Sequence, residues 1–153
     1  MQYSARDIFE RLKERQVAVI ATDDSKSGYV RLRVMYYGVT DKFDCYLMTL
    51  KDSPKLSHLA GAGKVSVLIY SLENPFDFSW ECELNGFVSV LNSEQEQARA
   101  LEELKGRNPF ADVALEAGLT AGHFAFLKLS PKILRFRVYS EALNNELPTV
   151  LEF

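Results

Sequence analysis

The sequence predicts a mainly β protein of the α+β class, an antiparallel barrel with peripheral helices. Three observations predict it. About seven strand-like runs follow one another through hairpin-like connections. Only two or three helical stretches interrupt them, so the strand–helix alternation of a doubly wound sheet is missing. No GxGxxG or GxxxxGKS/T loop opens any of the helices.

Ser4 and Asp7 have the spacing of a capping box, and Ile8, Phe9 and Leu12 follow at helical intervals. They predict a helix from Ala5 to Arg15. VAVIAT (17–22) reads as a buried strand and DDSKSG as the polar hairpin connection after it. YVRLRVMYYGV (29–39) alternates: Val30, Leu32, Val34 and Tyr36 share one face, and Arg31, Arg33, Met35 and Tyr37 the other. FDCYLMT (43–49) is the next strand, reached through a turn at Asp41-Lys42 that sets it beside 29–39. The chain then breaks at Asp52-Ser53-Pro54 into a short helix over 54–60, closed by Gly61 and Gly63.

KVSVLIY (64–70) is a strand, followed by the acidic and aromatic connection SLENPFDF. In the long strand SWECELNGFVSVL (79–91), Gly86 predicts a bulge or bend. Ser93 and Glu96 form a second capping box, and Gly106 ends the helix they open. RNPFADVALEAGL reads as a turn and a short helical piece. HFAFLKL and KILRFRVY are two final strands joined at Ser130-Pro131. The tail NNELPTVLEF ends on apolar residues and is expected to pack onto the body or onto a partner subunit.

At 153 residues the chain has the size of a single domain, residues 1–153. Hydrophobic content of 47% beside 25% charged residues excludes the disordered and fibrous classes. A net charge of −3 gives no field drawing the protein to nucleic acid or anionic membrane, and neither is expected as a partner. No apolar run approaches the ~20 residues that span a bilayer. The charged, helix-periodic SARDIFERLKER does not have the pattern of a signal peptide, so the expected location is the cytoplasm. Cys45 and Cys82 lie in strand-like runs without CxxC or Cys/His spacing; they read as buried thiols, and no metal site is expected.

The residues that carry chemistry are cations around the 54–60 helix. Arg31 and Arg33 are two apart on a strand, so their guanidiniums share a face. Taken alone, the pair reads as a solvated outer face. Downstream, Asp52 or Ser53 is the natural N-cap, with Pro54 at the first helical position. The first-turn N–H groups and the helix dipole make an anion site there. Lys55 stands in that same turn, where a cation is unfavourable unless an anion faces it. Pairing with Asp52 would be an exposed contact worth only ~0–1 kcal/mol. A phosphate held by Ser53, Lys55 and an arginine reaching across from the neighbouring strand explains the placement better.

The run RVMYYGVTDKFDCYLMTLKDSPK (33–55) resembles the flavin mononucleotide (FMN) segment of the pyridoxamine 5′-phosphate oxidase-like split β-barrels. In that family an arginine opens an apolar strand, a hairpin follows, and a threonine-containing pair precedes Ser-x-Lys. The resemblance implies that Arg33, Ser53 and Lys55 bind the phosphate. It implies that Val34, Met35 and Tyr36 lie along the isoalloxazine ring, with Met48 and Thr49 at its edge. It extends more loosely over residues 8 to 140.

The implied protein is a homodimer with FMN at the subunit interface, a flavin-dependent oxidoreductase acting on a small-molecule substrate. A flavin-binding stress or carrier protein without turnover, a haem-binding relative, and a deazaflavin in the same cradle are the alternatives.

Departures from the oxidases are specific. Gly38 stands where they carry a phosphate-contacting lysine, and Pro54 where they carry an arginine. Glu81 replaces the glutamine that the partner subunit presents to the flavin. The segment LSPKILRFRVYSEAL has no match to the part that recognises the pyridoxal ring, so pyridoxamine phosphate oxidation is disfavoured. His58 and His123 read as partly exposed side chains rather than as a catalytic base or axial ligand. Trp80, Phe76 and Phe78 read as core, with a lid over the flavin edge as the other reading.

Overall fold

A computed structural model of the chain describes residues 2–119 and 121–153. The first helix is α1 (Ala5–Lys13), and four strands follow: β1 (Val17–Asp24), β2 (Tyr29–Tyr36), β3 (Gly38–Val39) and β4 (Cys45–Leu50). Next come α2 (Pro54–Ala62), β5 (Lys64–Ser71), β6 (Trp80–Val90), α3 (Glu94–Leu104) and α4 (Pro109–Glu116). The chain closes with β7 (Phe124–Val138), α5 (Tyr139–Leu143) and β8 (Thr149–Glu152). One 8-stranded sheet runs in the order β2-β1-β5-β6-β7-β4-β3, with β8 added to β7. Every pairing is antiparallel, and the sheet curls into a split barrel with the helices at its periphery.

Alternation along the strands builds the core. Ile20, Val67, Ile69, Leu84, Leu134 and Phe136 point inward, and Ile8 and Leu12 of α1 join them. A second apolar cluster forms where Ala100 and Leu104 of α3 and Ala111 of α4 cover Tyr46, Met48 and Phe126. Cys45 and Cys82 are buried and unpaired with each other, as expected. Burial pushes the Cys45 thiol up to about 12, far from a reactive thiolate.

The capping box at Ser4 is formed in both directions. The helix it opens stops at Lys13, short of the expected Arg15; the backbone N–H of Glu14 and that of Arg15 bond back to Arg11 and Leu12 in a tightened last turn. Helix α2 runs through Gly61, and only Gly63, at φ +68°, ends it. The tail does pack on the body, as strand β8 against β7.

Three expectations about the strands are corrected. The run 29–39 is broken at Tyr37, whose ring is buried; β2 pairs with β1, and only Gly38 and Val39 pair with β4. The run therefore does not lie alongside 43–49 over its length. The solvated-arginine reading holds for Arg31, which is exposed, but not for the rest of that face. Met35 is buried and Arg33 partly so, whereas Val30, Leu32 and Val34 are 58%, 68% and 65% exposed. Strand parity decides this: once Met35 enters the core, Arg33 two residues before it turns the same way, while Arg31 and Tyr29 towards the hairpin stay exposed.

The two expected last strands are one, continuous through Ser130-Pro131. The ladder with β6 shifts register at Asn85/Gly86, where Gly86 faces Pro131. The shift is where the sheet accommodates a proline, which has no N–H to give.

Candidate functional site in the seam of the barrel

The break at Tyr37 produces the site. Strand β2 lies at one end of the sheet and pairs on one side only. At the other end, β3 covers only Cys45 and Tyr46 of β4, so the outer edge of Leu47–Leu50 has no strand beside it. A strand edge carries unpaired backbone N–H and C=O groups. The curl of the sheet brings these two edges to one groove of about 330 Å³.

Val34, Met35 and Tyr36 of β2 form one wall, and Met48, Thr49 and Leu50 of β4 form another. Ser53 and Lys55 close one end, and Asn108 and Phe110 add a wall from α4. The groove thus gathers the ring-facing and phosphate-facing residues expected from sequence, apart from Arg33 and Glu81.

Ser53 is the N-cap of α2, its hydroxyl accepting from the backbone N–H of Lys55 at 3.3 Å. Pro54 occupies the first turn without an N–H to orphan. Lys55 is half-buried, and among the described residues it forms no ion pair; Asp52 is not its partner. A half-buried cation at the positive end of a helix, opening onto a groove, fits an anionic group.

Arg33 reaches α2 from the neighbouring strand, one turn below Lys55. Its guanidinium donates to His58 Nδ1 at 2.9 Å and to Thr22 Oγ1 at 3.3 Å. Burial lowers its pKa, and the nearby Arg31 charge adds to that. Arg31 itself is paired with Asp24 at 3.5 Å.

Glu81 stands apart from the groove. It accepts a hydrogen bond from Tyr139 Oη at 3.2 Å and faces Tyr70 and Arg137 across the ladders. Trp80 is core, packed against Phe136 at 5.7 Å, while Phe76 and Phe78 are exposed. Gly38 explains one departure from the oxidases: a Cβ there would stand 2.7 Å from the backbone oxygen of Glu103. Helix α3 fills the space a lysine would need.

Asn108 and Phe110 were not legible as site residues, since they lie far along the chain. Asn108 is a buried N-cap whose Oδ1 accepts from the Ala111 N–H at 3.1 Å. That cap anchors the start of α4 over the groove and leaves Phe110 half-exposed at its rim. Among the described residues no group of His, Cys, Asp and Glu is arranged to hold a metal ion. None of the described helices is long and apolar enough to cross a membrane.

Comparison with solved structures finds the same fold in proteins of low sequence identity. A Clostridium acetobutylicum protein related to general stress protein 26, of the pyridoxinephosphate oxidase family, is 10% identical with a TM-score of 0.71. The match covers 97% of this chain and 94% of that one. The FAD-binding protein of Mycobacterium smegmatis is 13% identical, with a TM-score of 0.69 over 90% of this chain and 96% of that one. A heme-binding protein from the same organism is 19% identical, with a TM-score of 0.65 over 90% of this chain and 55% of that one. Comparison with curated proteins finds no significant match. The family model described as pyridoxamine 5′-phosphate oxidase matches residues 5–137, nearly the whole of the barrel, and the chain belongs to that family.

Proposed function

We propose that this protein binds flavin mononucleotide in the seam groove and acts as a flavin-dependent oxidoreductase on a small molecule. One observation carries the reading: the open seam brings two unpaired strand edges and the unneutralised Lys55 to a single groove. A flavin needs backbone donors and acceptors along its ring edge and cations around its phosphate, and the groove offers both. Bound flavin would supply the redox chemistry. The chain's own residues would hold the phosphate (Ser53, Lys55 and Arg33), line the ring (Val34–Tyr36, Met48, Thr49) and restrict water and substrate access (Phe110).

A homodimer fits the exposed apolar face. Val30, Leu32 and Val34 on β2 continue into Val17 and Val19 on the paired β1, a patch that water disfavours. A second copy on that face would sit beside the seam, and Glu81 would be presented to the partner's flavin rather than to its own. The expected location is the cytoplasm. Oxidation of pyridoxamine phosphate itself is disfavoured because Gly38 has no room for the lysine that the oxidases use.

The FAD-binding and heme-binding neighbours make FAD and haem the competing ligands. Titration of the protein with FMN, riboflavin, FAD and haemin, followed by flavin fluorescence and the Soret band, tests the reading. FMN is expected to bind at least tenfold more tightly than riboflavin, about the scale of one charge-assisted contact. Equal affinity for FMN and riboflavin, or a Soret band with no flavin binding, would overturn it. Oxidation of reduced nicotinamide by the flavin-loaded protein then separates an enzyme from a carrier.

A further inference from the structure

We propose that His58 is the positioning residue for Arg33, and that this contact sets the preference for phosphorylated over unphosphorylated flavin. The proposal rests on the flavin reading above. Arginine has a long side chain whose rotamer freedom opposes any fixed geometry, so a phosphate-binding guanidinium gains from being held in advance. Structural arginines in this chain are held by anions or carbonyls: Arg31 by Asp24, and Arg107 by the backbone oxygens of Lys13 and Arg15.

Arg33 is held differently. Its partners are the neutral Thr22 hydroxyl and His58 Nδ1, and among the described residues it forms no ion pair. A guanidinium can only donate, so Nδ1 is the acceptor and the ring proton sits on Nε2. The two contacts fix the planar group; the nearest carboxylate acting on it, Asp24, makes its ion pair with Arg31 instead. Those contacts use two of the five N–H donors a guanidinium carries and leave the others for an oxyanion.

The placement of His58 links Arg33 to the second cation. His58 follows Lys55 by three residues on α2, a spacing that sets both on one side of the helix. The distance between the Arg33 guanidinium and the Lys55 ammonium is therefore set through one helical turn. Thr22 comes from β1, whose register places Arg31 opposite it and Arg33 opposite the neighbouring Ile20. Through Thr22 and His58, Arg33 is tied to both β1 and α2, the helix whose first turn carries Ser53 and Lys55.

The test compares wild type, His58→Ala, His58→Gln and Arg33→Ala by fluorescence titration with FMN and with riboflavin. A glutamine can present an acceptor oxygen toward Arg33; an alanine cannot. His58→Ala is expected to weaken FMN binding about fivefold, the scale of one hydrogen bond, with riboflavin binding unchanged. His58→Gln is expected to recover most of the loss, and Arg33→Ala to lose more than either.

A His58→Ala variant that keeps the wild-type ratio of FMN to riboflavin affinity would overturn the proposal. So would one that loses both ligands equally, because that marks a structural role. If the wild type itself fails to distinguish FMN from riboflavin, the phosphate reading falls first, and no variant is needed to see it.

Discussion

Gly86 on β6 packs against Ser130 on β7 so closely that a Cβ would collide with the Ser130 carbonyl oxygen. This is the point where the ladder shifts register and Pro131 enters the strand. Gly86→Ala must push two central strands apart and is expected to destabilise the fold by about 1–3 kcal/mol. Urea denaturation reads the change as a lower midpoint with an unchanged slope. An unaltered midpoint would show that the strands yield freely at the bulge.

Ser53 has two tasks that a substitution can separate. Aspartate caps a helix about as well as serine does, so Ser53→Asp is expected to leave the melting temperature within a few degrees of wild type. It also places a carboxylate where the phosphate would rest beside Lys55. FMN affinity is expected to fall by at least tenfold, and riboflavin affinity by much less. Isothermal titration with both ligands checks the split; parallel losses would argue against a phosphate at this end of α2.

Leu32 is 68% exposed on β2, so changing it removes little packing within the protomer. Leu32→Glu is expected to leave the monomer's stability within about 0.5 kcal/mol, the range of ordinary surface changes. On the proposed dimer face it would bury an unpaired carboxylate against its symmetry mate. Sedimentation is expected to show a monomer and flavin binding to weaken with it. A variant that stays dimeric would move the interface elsewhere.

Acid stability follows from two depressed carboxylates. The Ser4 hydroxyl and backbone N–H lower the Asp7 pKa, and the Ser27 hydroxyl and Lys26 N–H lower that of Asp24. Both pKa values lie below the unfolded-state range in the folded chain. Their contribution is therefore complete above about pH 4 and is lost as the pH falls through the lowered folded values. The double variant Asp7→Asn and Asp24→Asn is expected to show a smaller loss of melting temperature between pH 7 and pH 2 than wild type. An identical loss would assign the acid sensitivity to other groups.

Much of the fold was legible because it is written in local pattern. The Ser4 box, the Ser53-Pro54 start of α2, the bulge at Gly86 and the turn after Gly106 each depend on residues a few positions apart. The continuous β7 was not legible, because Ser130-Pro131 reads as a break until the register shift opposite it is known. Strand β8 and helix α5 depend on what β7 offers them, so the tail read only as apolar.

The sequence by itself determined the element types, the cap chemistry of α2 and the identity of the cations around it. Periodicity and i, i+3 spacing are properties of the chain before it folds. Only the tertiary structure decided that β2 and β4 meet as two unpaired edges, that Arg33 and Met35 turn inward on β2, that Asn108 lines the groove and that His58 holds Arg33. Those outcomes depend on strand parity and on which edge the chain leaves unpaired at Tyr37, and both are set by contacts between residues far apart in sequence.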